Sequence, residues 1–111
     1  MSITVLITYK GKGVAAQQFA REMEQTGIAE RIRQEVGNLR YEYFRPFDDE
    51  ESILLVDSWE NQEALDLHHA SPMMGDIIRL REKYDLHMAV ERYYSEDVPE
   101  QDLIFIRKEK K

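Results

Sequence analysis

Two stretches of this chain are apolar on both of the faces that a β-strand presents. In Ile3-Thr4-Val5-Leu6-Ile7 the branched residues Ile3, Val5 and Ile7 share one face and Leu6 stands between threonines on the other, while Ile53-Leu54-Leu55-Val56 has no polar position at all. Successive side chains point to opposite sides of a strand, and a continuous apolar run marks a strand covered on both faces. A sheet built on these segments therefore needs two covers. With 111 residues the chain has the size of one domain, long enough for a core but short enough that most of its surface stays wet.

The remaining segments sort themselves around those strands. Residues Ser2 to Tyr9 read as strand one, which Lys10-Gly11-Lys12-Gly13 ends. Ala15, Phe19 and Met23 then recur every four residues and form one helical stripe. Gly27 interrupts it, and Ile28, Ile32 and Val36 resume the spacing, so the helix kinks or restarts at Gly27 and ends at Gly37. Leu39, Tyr41 and Tyr43 alternate with Arg40 and Glu42 in strand two, Leu39 to Phe44. A polar turn, Pro46 to Glu51, leads into strand three. Asn61 is placed to cap a helix over Gln62 to Ala70, and Ser71-Pro72 offers a second cap with proline at the first helical position, opening Met73 to Tyr84. Leu86 to Tyr94 is strand four.

This order predicts an α+β, ferredoxin-like βαββαβ domain: an antiparallel sheet with its helices on one face. The second apolar face of strands one and three then needs a cover from outside, and the same face of another copy supplies it, so a homodimer is expected. Residues 1–95 form the domain and 96–111 a C-terminal extension. Its Leu103-Ile104-Phe105-Ile106 can be read as a short strand reaching onto the dimer partner or as a loose tail.

Composition removes several functions. A formal charge of −7, with no basic stripe apart from Arg107 to Lys111, opposes a phosphate-binding surface, so nucleic acid is not an expected partner. Without cysteine there is no disulfide, thiolate nucleophile or Cys-ligated metal. No 18-residue apolar run or signal-peptide pattern occurs, so no membrane partner is expected and the default location is the cytoplasm.

Candidate chemistry centres on one histidine. His68 follows Ala64 by four residues and Leu65 by three, on the core-facing side of its helix. A half-buried imidazole with an unperturbed pKa of about 6.5 can take a proton from a phenol or enol near neutral pH. Core packing is the commoner role for a lone histidine. His69 lies about 100° further round the helix and is expected to face outward. Trp59, the only tryptophan, ends strand three, where a flat side chain can line a cavity or fill the core. Tyr41, Tyr43 and Phe44 on strand two, with Met73 and Met74 on the last helix, would wall a pocket for a flat aromatic ligand, or equally make an ordinary core. His68-His69 and the distant His87 have no metal-ligand spacing, and Gly11-Lys12-Gly13 is too short for a nucleotide fingerprint.

Two segments resemble the antibiotic biosynthesis monooxygenase family, a branch of the dimeric α+β barrel proteins. Ile32-Arg33-Gln34-Glu35-Val36-Gly37-Asn38-Leu39-Arg40-Tyr41-Glu42-Tyr43-Phe44 is similar to the family's helix end, glycine cap and tyrosine-bearing second strand. Asp57-Ser58-Trp59-Glu60-Asn61-Gln62-Glu63-Ala64-Leu65, followed by His68 and Ser71-Pro72, is similar to its tryptophan, acidic helix start and helix histidine. The resemblance spans residues 2 to 95 and implies a dimeric α+β barrel with a pocket between sheet and helices in each subunit. It also implies a monooxygenase that oxidises a small aromatic substrate (a quinol, phenol or anthrone) with O2 and no cofactor: no flavin, haem or metal. In that reading His68 is the base and Trp59 positions the ring or the oxygen species. The asparagine that haem-degrading relatives carry in the first strand has no counterpart in Ile3 to Tyr9. A non-oxidative enzyme such as an isomerase, or a non-catalytic ligand-binding dimer, would use the same pocket. Few cations fall near His68 along the chain, Arg79 and Arg81 a few turns on being the closest, which weighs against a phosphorylated substrate.

Overall fold

A computed structural model describes residues 1–109; Lys110 and Lys111, which close the basic terminal run and the expected extension, lie outside the described residues. The elements are β1 (Ile3–Lys10), α1 (Ala15–Gln25), α2 (Ile28–Arg33), β2 (Asn38–Phe44), β3 (Ser52–Trp59), α3 (Gln62–His69), α4 (Met73–Lys83) and β4 (His87–Tyr94), followed by a 3-10 helix over Glu100–Phe105. The sheet order is β2-β3-β1-β4, with antiparallel neighbours throughout. This is the ferredoxin-like α+β arrangement, each helical crossover being split into two helices. Among the described residues no helix is long and apolar enough to cross a membrane.

The two strands that are apolar on both faces occupy the centre of the sheet. Ile3 lies opposite Trp59, Val5 opposite Asp57, Ile7 opposite Leu55 and Tyr9 opposite Ile53. Directly opposed residues share a face, and all eight of these are buried beneath the helices. Phe19 and Met23 from α1, Ile28 and Ile32 from α2, Leu65 from α3 and Ile77 from α4 complete that core. The helix-free face carries Leu6, Leu54 and Val56, which are only half covered.

Two glycines shape the first crossover. Gly27, at φ 81°, separates α1 from α2, and Gly37, at φ 83°, turns the chain into β2. At Gly37 a Cβ would stand 2.4 Å from the Cβ of Ala64 on α3, so both the left-handed backbone and the close approach of α3 require glycine.

Four local expectations differ from the structure. α2 stops at Arg33, and a turn rather than further helix leads to Gly37, which leaves Val36 82% exposed instead of on the core stripe. A register shift between Asn38 and Arg40 takes Leu39 out of the alternation and exposes it. Ser71 anchors α4 by its carbonyl, which accepts from the Met74 N–H at 3.2 Å, while its buried hydroxyl has no partner among the described residues. Leu103–Ile106 does not form a strand: the Ile106 N–H bonds back to the Leu103 carbonyl, a local 3-10 turn that leaves Ile104 and Phe105 exposed.

Candidate active site

β4 is the edge strand next to β1, and α3 and α4 lie over β1 and β3 without closing over it. Every residue of β4 is consequently exposed, including the helix-side Met88, Val90 and Arg92, which oppose Tyr9, Ile7 and Val5. The gap is a cavity of about 280 Å³. Its walls are Val5, Ile7, Leu65, Met74, Met88 and Val90, and its polar groups are Asp57, His69, Arg81 and Arg92. A mostly apolar hollow with a few convergent polar groups is the usual form of a small-molecule site. A cavity of about 150 Å³ can hold benzene, so this one has room for a substituted aromatic ring.

Asp57 sits on the floor. The alternation of β3 turns it inward between Leu55 and Trp59, and it is 5% exposed. Its Oδ1 accepts the Trp59 Nε1–H at 2.7 Å. Burial, which disfavours the charged carboxylate, raises its pKa to about 6; the nearby His68, the Trp59 hydrogen bond and Arg81 oppose the rise and Glu35 adds to it. Behind Asp57, Trp59 is fully buried and stacks on His68, with ring centroids 4.7 Å apart and 25° between planes. His68 Nδ1 lies 2.8 Å from Glu35 Oε1. Asp57, Trp59, His68 and Glu35 thus form a continuous line from the cavity floor through the core.

The remaining polar groups approach from the helices and from β4. Burial and the neighbouring His68 lower the pKa of His69, which keeps its imidazole neutral near pH 7. Arg81 Nη2 donates to the Tyr9 hydroxyl at 2.9 Å, with the guanidinium 5.5 Å from the centre of the Tyr9 ring. Its buried Nε has no hydrogen-bond partner among the described residues. Arg92 Nη2 donates to Gln62 Oε1 at 2.6 Å. No cluster of three or more His, Asp or Glu that could hold a metal ion occurs among the described residues.

The residues singled out in the sequence fall in different places. His68 and Trp59 are brought together, but behind the cavity wall, and it is His69 whose side chain lines the space. Met74 lines the cavity and Met73 packs against the core. Tyr41 is buried with its hydroxyl 3.1 Å from that of Tyr43, and Tyr43 borders a separate groove with Gln17, Ala20 and Ile53. Phe44 points to the other face of the sheet, opposite Leu54, with Arg40 over its ring. Asp57, Arg81 and Arg92 were not anticipated. Asp57 carries a signal, being an acid in phase with the inward residues Leu55 and Trp59, and Arg81 follows Ile77 and Met74 by four and seven residues, on the same helical face.

The backbone has many relatives of known structure. A Deinococcus radiodurans protein described as a candidate antibiotic biosynthesis monooxygenase is 22% identical, with a TM-score of 0.70 over 89% of this chain and 96% of that one. A conserved protein from Methanosarcina mazei is 21% identical with a TM-score of 0.74, over 86% of this chain and 94% of its own. SnoaB, a cofactor-independent oxygenase from Streptomyces nogalater, is 13% identical with a TM-score of 0.67, over 87% of this chain and 95% of its own. At these identities the likeness is one of fold. No curated protein sequence matches the chain. Residues 2–80, which carry β1 to most of α4 and include Asp57, Trp59 and His68, match the family described as antibiotic biosynthesis monooxygenase, and the chain belongs to that family.

Proposed function

We propose that this protein is a cofactor-independent monooxygenase that oxidises a small phenol or hydroquinone with O2. The observation that carries the reading is Asp57: a carboxyl group with a pKa near 6 on the floor of a largely apolar cavity sized for one substituted ring. At neutral pH such a group is mostly ionised and basic enough to take a phenolic proton from a bound ring. The resulting anion is electron-rich enough to pass one electron to O2. Recombination of superoxide with the ring radical forms a C–O bond, and loss of water leaves a quinone. For a hydroquinone the sum is hydroquinone plus O2 giving hydroxyquinone plus water, so the substrate itself supplies both electrons and no external reductant enters. The buried apolar walls Val5, Ile7 and Leu65 keep the anion poorly solvated and so reactive.

His68, the base expected from the sequence, has a different place in this scheme. It has no face on the cavity, and it acts as a positioning residue through Trp59 and through its lowering of the Asp57 pKa. Oxygen uptake by the purified protein with a panel of hydroquinones is the test. Wild type should consume O2. His68→Ala should consume it more slowly and with the pH midpoint moved upward, because a neighbour that lowers the Asp57 pKa is gone. Absence of uptake with every substrate would remove the oxygenase reading; a slowed His68→Ala with an unmoved midpoint would reduce His68 to packing.

The same proposal includes a homodimer formed through the helix-free sheet face, supported by the half-covered Leu6, Leu54 and Val56 beside the exposed Phe44 and Tyr93. Sedimentation equilibrium should return twice the chain mass. A monomer mass at micromolar concentration would remove this part alone.

A further inference from the structure

We infer that the ligand of this cavity is an aromatic monoanion, a ring bearing a carboxylate that Arg81 and Arg92 hold; the inference rests on the aromatic-oxygenation reading and names its substrate class. The two guanidiniums come from elements far apart in the chain, Arg81 from α4 and Arg92 from β4, yet both line the same small space. Neither has a carboxylate within ion-pair distance among the described residues, whereas Arg33, Arg40 and Arg79 each do.

Their hydrogen bonds hold them without neutralising them. Arg81 spends Nη2 on the Tyr9 hydroxyl and keeps a buried Nε–H without an acceptor. Arg92 is braced from α3 by Gln62, a neutral acceptor. A buried donor left unmade is costly, and a planar fork of donors is suited to the two oxygens of a carboxylate. The cavity's polar lining consists of two guanidiniums, one acid, Asp57, and His69. With the acid ionised and His69 neutral, one positive charge is left over, which one carboxylate balances and a phosphate dianion would exceed. In a chain of net charge −7, a locally cationic apolar hollow is where a small organic anion can lodge.

The test is calorimetric titration without oxygen, so that binding is read apart from turnover. The probes are 2,5-dihydroxybenzoate, its methyl ester and phenyl phosphate. The acid should bind wild type roughly tenfold or more tighter than the ester, as expected for charge-assisted hydrogen bonds, and tighter than phenyl phosphate. Arg92→Gln, a change at an exposed position, should erase most of the preference for acid over ester without altering the melting temperature, and Arg92→Lys should keep part of it. Equal binding of acid and ester, a preference that survives Arg92→Gln, tighter binding of phenyl phosphate, or no binding of any probe at millimolar concentration would each overturn the inference. Selective binding of the acid with no oxygen uptake in air would instead remove the oxygenase reading and leave the anion site standing. Uptake that is as fast with the ester as with the acid would do the reverse.

Discussion

Asp57→Asn is expected to lower oxygen uptake by about 10²–10⁴-fold, the usual range for removing a positioned general base, while making the folded protein more stable at neutral pH. The asparagine carbonyl can still accept the Trp59 N–H, so packing is kept and only the charge is lost. The stability change follows from the direction of the pKa shift. In the folded protein Asp57 titrates near 6, against an ordinary value of 3.8. As pH rises from about 4 to 6, the unfolded chain has released this proton and the folded chain still holds it, so stability falls through that window. Above the window the penalty is constant. A difference of roughly two pH units corresponds to at most about 3 kcal/mol. Asp57→Asn should therefore raise the melting temperature at pH 7 and leave it nearly unchanged at pH 3.5. Wild-type uptake should rise with pH to a plateau with a midpoint near 6, which gives the same group a kinetic signature. Thermal melts at the two pH values and a pH–rate profile check both halves. Full activity in the variant would exclude Asp57 as the base, and equal stability at both pH values would mean that burial does not perturb it.

The fold was legible in the chain and much of the cavity was not, for one physical reason. Strand order depends on local patterns that are strong here: the two-faced apolar segments that become central β1 and β3, the Asn61 cap, whose Oδ1 accepts the Ala64 N–H at 2.9 Å, and the positive-φ glycines Gly27 and Gly37 of the first crossover. The cavity depends on what three or four elements leave uncovered. Arg92 and Val90 lie on strand four, whose sequence does not tell which of its faces meets the helices, and only the pairing of β4 with β1 turns them toward Leu65 and Met74. Counting cations along the chain near His68 likewise underestimates the positive charge, because Arg92 arrives from a different element. Trp59 and His68 were recognisable as a pair through the family resemblance. Which side of the core wall they occupy depends on Glu35, 33 residues away, which holds the imidazole inward. Where the expectations failed in detail, at Val36 and Leu39, a turn or a register shift had replaced a periodic element with an irregular one, and apolar periodicity does not report such changes.

Trp59 joins the stability of this fold to its chemistry, and two substitutions there should separate the two. Trp59→Ala removes a fully buried side chain and should cost about 3–5 kcal/mol. The upper end is expected, because the change also takes away the stacking partner of His68 and the Trp59 hydrogen bond to Asp57. In a domain of this size that is a drop in melting temperature of about 12 °C or more. Trp59→Phe keeps most of the volume and can keep the ring contact with His68, but it has no N–H to donate. A hydrogen bond to a charged group contributes about 1.5–3 kcal/mol, so its loss should raise the Asp57 pKa by about one to two units. The base is then ionised only at higher pH. Trp59→Phe should therefore stay folded, with its pH–activity midpoint moved from near 6 toward 7 or 8, and with slower turnover at pH 6.5 that recovers at pH 9. If Trp59→Phe is slow at every pH, the indole itself takes part in handling the ring or the oxygen. If its midpoint does not move, the 2.7 Å contact between Nε1 and Oδ1 does not set the basicity of Asp57, and the line from Glu35 through His68 and Trp59 to the cavity serves packing alone.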